Sequence, residues 1–175
     1  MAKLTFSSIK KPVNFLALGF GSGLAPRAPG TAGTLLAWLL ALFFPVLLNG
    51  YVVILTSLLG IYICGYTARQ LKTHDHPGIV WDEFCGIWIT LYFLNKFNTL
   101  TFPIYAIGEH LNMFFWWLAA LFSFRFFDIV KPWPIGYIDT KVKGGFGIML
   151  DDVVAALMAV IFLLAALYLI GQTGK

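Results

Sequence analysis

Two stretches repeat one pattern of chemically useful residues. Gly78-Ile79-Val80-Trp81-Asp82-Glu83-Phe84 and Gly147-Ile148-Met149-Leu150-Asp151-Asp152-Val153 each run Gly-Ile, two large apolar residues, two acids and one apolar residue. Each ends a polar, glycine-containing loop and opens an apolar run, so each reads as a helix start with an acid pair in its first turn. A carboxylate pair entering a membrane is costly unless a positive partner binds it. A divalent metal and a phosphate are the partners that fit. Asp128 is a fifth acid of interest. It falls near the expected C-terminal end of a helix, where the dipole opposes an anion, and Arg125 three residues earlier can pair with it. Neighbours on a helix diverge by about 100°. Asp82 and Glu83 are therefore expected to face different atoms, one as ligand and the other as an outer or base residue.

An oxygen-only ligand set selects Mg²⁺ or Mn²⁺ over zinc, and no CxxC or HExxH pattern is present. His74 and His76 flank Asp75 in a loop, where histidines are usually solvated. The segment Gly19-Phe20-Gly21-Ser22-Gly23-Leu24-Ala25-Pro26-Arg27-Ala28-Pro29-Gly30 cannot form one regular helix. It leads into Thr31, which reads as a helix N-cap. Such a loop can offer backbone N–H groups to a phosphate, although no Gly-Lys-Ser/Thr follows, so it is not a Walker A loop. Arg27, Lys131 and Lys143 are the cations placed to bind phosphate, against the ordinary enrichment of basic residues in cytoplasmic loops.

The elements that must position these groups are apolar. Of 175 residues, 59% are hydrophobic and 11% are charged, against about 25% charged in a soluble domain. The expected fold is all-α: a single integral membrane domain over residues 1–175, a polytopic transmembrane helical bundle of about five membrane helices behind an N-terminal loop or helix. The apolar runs are Ala32 to Leu48, Tyr51 to Ala68, Phe84 to Leu94, Met113 to Phe124 and Val153 to Ile170. The third and fourth are short and read as extended by polar ends, tilted or re-entrant. Pro132 and Pro134 end the fourth helix near Lys131, and a loop with Asp139, Lys141, Lys143, Gly144 and Gly145 leads to the second acid phrase. With five crossings, every one of the 12 basic residues except Lys96 and Lys175 shares one side, and every acid except Glu109 joins them. The positive-inside rule makes that side cytoplasmic. Lipid avoidance puts acids in loops but does not choose a side; one polar site on the cytoplasmic face does. The net charge of +4 suits an anionic lipid surface, and no basic stripe with interleaved aromatics marks a nucleic-acid site. Cys64 and Cys85 offer no disulfide framework.

These stretches resemble the bacterial phosphatidylglycerophosphatase A family. The resemblance rests on Gly19 to Pro26 with Pro29-Gly30-Thr31, on His74-Asp75-His76 with Ile79 to Phe84, on Phe124-Arg125 with Asp128 and Lys131-Pro132-Trp133-Pro134-Ile135, and on Gly144 to Asp152. It runs from about residue 13 to the last apolar run. It implies a Mg²⁺-dependent, multi-pass inner-membrane enzyme whose site faces the cytoplasm. Its substrate would be phosphatidylglycerophosphate, hydrolysed to phosphatidylglycerol and phosphate; no protein partner is implied. On that reading Asp82, Asp128, Asp151 and Asp152 are the metal ligands and, with Glu83, the catalytic acids. Arg27, Thr31, Lys131 and Lys143 bind substrate. The metal neutralises phosphate oxygens and activates water; a covalent aspartyl-phosphate is the other route.

The competing class is a transporter or channel for divalent cations, since intramembrane acids also mark ion paths. A path needs polar residues along the helices, and the first, second and last runs carry only scattered Thr34, Ser57 and Thr67, which a helix can satisfy by itself. A purely structural membrane subunit gives no reason for so many acids on one face.

Overall fold

The computed structural model describes residues 11–73, 76–101 and 109–173, with the side chains of residues 98–101, 109–112 and 170–173 excluded. His74, Asp75, Lys3, Lys10, Pro103 and Lys175 lie outside the described residues, as does the side chain of Glu109. The described residues form helices and no strand: α1 (Pro12–Ala17), α2 (Pro29–Phe43), α3 (Gly50–Leu71), α4 (Trp81–Thr101), α5 (Glu109–Val130), α6 (Ile135–Lys141) and α7 (Gly144–Thr173), with 3₁₀ segments at Gly19–Leu24 and Pro45–Leu48. The expected all-α fold is what forms among the described residues.

Among the described residues, three helical stretches are long and apolar enough to cross a membrane: Gly50–Leu71, Met113–Val130 and Gly144–Leu169. The fourth apolar run is extended by its polar end, one of the readings left open: α5 carries it through Arg125 and Asp128 to Val130. One expectation changes, because the first run is not one helix. Pro45 has no N–H and disfavours helical backbone before it, so α2 stops at Phe43 and a 3₁₀ turn follows. Fifteen residues span only about 22 Å at 1.5 Å per residue.

The hub of the bundle is α7, which packs against α3, α4, α5 and α6. Its approach to α3 depends on Gly145, where a β-carbon would stand 1.9 Å from the Ile61 carbonyl oxygen. Only hydrogen fits there. Buried indoles tie the other helices together, as their N–H groups require. Trp88 Nε1 donates to the Ala37 carbonyl (3.0 Å), Trp38 to Trp117 (2.9 Å) and Trp81 to Thr56 (3.2 Å). The start of α4 is fixed by the N-terminal segment: Val80 N donates to the Ala17 carbonyl at 2.9 Å, and the Phe20 ring packs on Trp81 and Phe84.

Hydroxyls in the apolar helices are satisfied locally. Thr34 and Ser57 donate to carbonyls four residues back. Thr67 instead crosses to Asn14 Oδ1 of α1, at 3.1 Å.

Candidate active site

The acids converge. Asp82 and Glu83 lie in the first turn of α4, where the helix dipole favours anions. Asp128 comes from the last turn of α5, and Asp151 and Asp152 from α7. All five line one cavity of about 240 Å³, together with Arg125, Lys131, Pro77, Ile79 and Ile129.

Asp151 and Asp152 do not open their helix. The first turn of α7 holds no acid, because the helix begins back at Gly144. Gly144, at φ +77°, takes the left-handed conformation that glycine tolerates, and Gly145 then seats the helix against α3. Nor do Asp82 and Glu83 diverge. Oxygens of Asp82, Glu83 and Asp152 all lie within 4.8 Å of one another. Divergent backbone directions are overcome by the length of the Glu83 side chain.

Two cations are embedded among the five carboxylates. Arg125 Nη1 donates to Asp128 Oδ2 and stands 3.7 Å from Glu83 Oε1. Its Nη2 faces Thr31 Oγ1 at 3.4 Å. Lys131 Nζ donates to Asp151 Oδ2, and to Asp139 Oδ1 at 3.1 Å. Lys131 follows the last residue of α5 with φ +45°, a backbone setting that costs a non-glycine residue about 1 kcal/mol or more. Burial works against its ammonium, but the hydrogen bond and charge of Asp151, then those of Asp139, outweigh burial and raise its pKa above the usual lysine value. It is therefore charged throughout the neutral range.

The expected phosphate-binding residues divide. Lys131 is in the cavity. Thr31 is at its edge through Arg125, but it sits inside the first turn of α2, while the N-cap is Ala28 with φ +47°. Arg27 and Lys143 are exposed and absent from the cavity wall. The glycine-rich loop uses its own N–H groups: those of Gly21 and Gly23 bond to the Leu18 carbonyl, and that of Ala25 to Ser22. Its function in the fold is packing against α4. His76 is buried, and its Nδ1 accepts from Gly78 N at 3.0 Å, so it shapes the turn before the first acid phrase. Spacing pairs Arg125 with Asp128 and assigns it nothing more; its reach to Glu83 and Thr31 depends on packing.

The donor set suits a hard cation. Glu83 Oε2 and Asp152 Oδ2 are buried and accept no hydrogen bond from the described residues. Such lone pairs are costly without a partner, and three carboxylates this close repel one another unless a cation or proton intervenes.

A model of the phosphatidylglycerophosphatase A family matches residues 15–167. The chain belongs to that family. The phosphatidylglycerophosphatase A of Escherichia coli is 42% identical over 167 residues, covering 94% of this chain and 86% of the relative. The phosphatidylglycerophosphatase A of Haemophilus influenzae is 42% identical over 165 residues, covering 92% of each. No solved structure matches the chain. As a member of the phosphatidylglycerophosphatase A family it is a phosphatase, and the cavity is where its carboxylates and cations meet.

Proposed function

We propose that this enzyme removes the terminal phosphate of phosphatidylglycerophosphate, giving phosphatidylglycerol and inorganic phosphate, with Mg²⁺ held by the acid cluster. The observation that carries this reading is the trio Asp82, Glu83 and Asp152, whose oxygens lie within 4.8 Å of one another, in a cavity that also holds Arg125 and Lys131. Asp82 and Asp152 with Glu83 would hold the ion, and Asp128 and Asp151, each gripped by a cation, would complete its surroundings. When bound, Mg²⁺ would neutralise phosphate oxygens and lower the pKa of an attacking water.

The chain's own groups do the rest. A phosphate monoester is dianionic near neutral pH and competes with carboxylates for Lys131 and Arg125. The Lys131 ammonium and the Arg125 guanidinium would donate to its oxygens and fix it for in-line attack. Lys131 moving to phosphate releases Asp151 Oδ2, a carboxylate then free to accept the proton of water. Hydrolysis forms one bond from water oxygen to phosphorus and breaks the phosphorus–oxygen bond to glycerol, whose oxygen takes up a proton.

The site would face the cytoplasm from the inner membrane. The basic residues of 11–31, 69–73 and 125–152 support that side under the positive-inside rule. Cation transport is disfavoured by Thr34, Ser57 and Thr67, hydroxyls along the first two apolar runs, which bond within their helices or to Asn14 and mark no polar track among the described residues. Purified protein assayed for phosphate release from phosphatidylglycerophosphate, with Mg²⁺ and with chelator, tests the reading. Release that depends on Mg²⁺ and is lost in Asp82→Asn supports it; full activity in Asp82→Asn and Asp152→Asn overturns it.

A further inference from the structure

The short helix α6 has two faces with different partners. Inward, Ile135 is fully buried, and Asp139 reaches Lys131 Nζ at 3.1 Å, the same nitrogen that holds Asp151 of the cavity. Outward, Trp133 is 82% exposed and Tyr137 59%. Lys141 is exposed too. Residues 133, 137 and 141 are spaced by four, so the side chains of the helical pair Tyr137 and Lys141 share one face, and Trp133 enters at the head of it. Asp139, the one acid of α6, turns to Lys131 on the other side of the helix, so this outer face carries the two aromatic rings and the Lys141 cation.

Its location says what it meets. The helix joins the end of α5 at Val130 to the start of α7 at Gly144, and both neighbours carry stretches long and apolar enough to cross a membrane. Residues 131–143 therefore lie at the rim of the bilayer, where Trp and Tyr rings settle among headgroups and lysines meet lipid phosphates.

We propose that the Trp133–Tyr137–Lys141 face docks on the anionic headgroup layer of the bilayer, and that this docking holds Asp139 against Lys131 and so sets the geometry of the cavity. The partner is the anionic lipid surface itself, fitted by charge and by amphipathic rings. The proposal rests on the phosphatase reading above and adds a surface that governs it. Tyr137 and Lys141 touch no cavity group; they act by positioning.

The test uses the full chain in nanodiscs of phosphatidylcholine alone or with one third phosphatidylserine, at a fixed surface fraction of phosphatidylglycerophosphate. Tyr137→Ser and Lys141→Glu, singly and together, are compared with the unsubstituted protein in each disc. In the anionic discs the double variant should be slower by about 3–10-fold, with the change in kcat, and the deficit should shrink to less than twofold in neutral discs. Bromine on the lipid should quench Trp fluorescence less in Trp133→Phe than in the unsubstituted protein. Equal variant-to-parent ratios in the two discs, or quenching unchanged by Trp133→Phe, overturn the docking surface. Phosphate release by the parent in the discs keeps the two readings apart: its absence from both discs strikes the phosphatase reading, whereas its presence with equal variant-to-parent ratios strikes the docking surface alone.

Discussion

Gly30 and Glu83 occupy one space between them. A β-carbon on Gly30 would stand 2.2 Å from Glu83 Oε1 and 3.3 Å from Arg125 Nη2. Absence of a side chain in the first turn of α2 is thus what lets Glu83 lie beside Asp82 and Asp152. Gly30→Ala should displace the carboxylate, and a misplaced ligand typically weakens metal binding by about 10–100-fold. Mn²⁺ titration followed by electron paramagnetic resonance should show that loss while helical circular dichroism is preserved. Unchanged Mn²⁺ affinity would show that the Glu83 carboxylate has room elsewhere.

Arg125 serves three helices at once, through Asp128, Glu83 and Thr31. A planar fork holds its donors in fixed directions, whereas an ammonium's three donors rotate on a flexible stem. Arg125→Lys should therefore recover less than a tenth of the parent's kcat, and Arg125→Gln less than a hundredth. A Lys variant with parental kcat would reduce Arg125 to a generic positive charge.

Asp152 is 3% exposed, with Oδ2 accepting no hydrogen bond from the described residues. Asparagine keeps its shape and removes its charge. Asp152→Asn should abolish high-affinity Mn²⁺ binding and, by easing repulsion with Asp82 and Glu83, leave the metal-free protein as stable as the parent or more so. Thermal unfolding in chelator reads the second effect. A large fall in melting temperature there would mean that Asp152 is anchored by something other than an ion.

The sign for Lys131 follows from its raised pKa. Because the folded value lies above the unfolded one, its ion pairs with Asp151 and Asp139 stabilise fully below about pH 10.4. That contribution fades only as pH climbs through the higher folded value. Lys131→Gln should thus lower stability by a constant amount from pH 7 to pH 9. It should raise KM for substrate at least tenfold. A Lys131→Gln deficit that vanishes by pH 9 would show the ammonium already neutral there.

The acid phrases were readable because carboxylates in so apolar a chain have few explanations. Their convergence was readable from one-sidedness, since acids ignore the positive-inside rule. Details failed where a tertiary contact decides. Asp151 and Asp152 look like a first turn until Gly145 is seen packed on Ile61 and Gly65 of α3, which starts α7 a full loop earlier. The stretch with Asp139, Lys141, Lys143, Gly144 and Gly145 reads as loop after the prolines that end the fourth helix; burial of Ile135 and the Asp139–Lys131 pair hold Ile135–Lys141 helical. Arg27 and Lys143 share charge with Lys131 but not its place, and spacing alone does not separate a cation on the rim from one in the cavity.

The 30 residues of α7 extend about 45 Å at 1.5 Å per residue, against a hydrocarbon layer of about 30 Å. The surplus would let Asp151 and Asp152, near its N-terminal end, ride above the oil on a helix otherwise made for it. Acyl length then acts as a waterline: in longer-chain bilayers the oil rises toward the two aspartates, and turnover should fall as chains lengthen from 14 to 22 carbons at fixed headgroup composition. Turnover flat across that series would mean that the helix tilts to keep its acids at one depth.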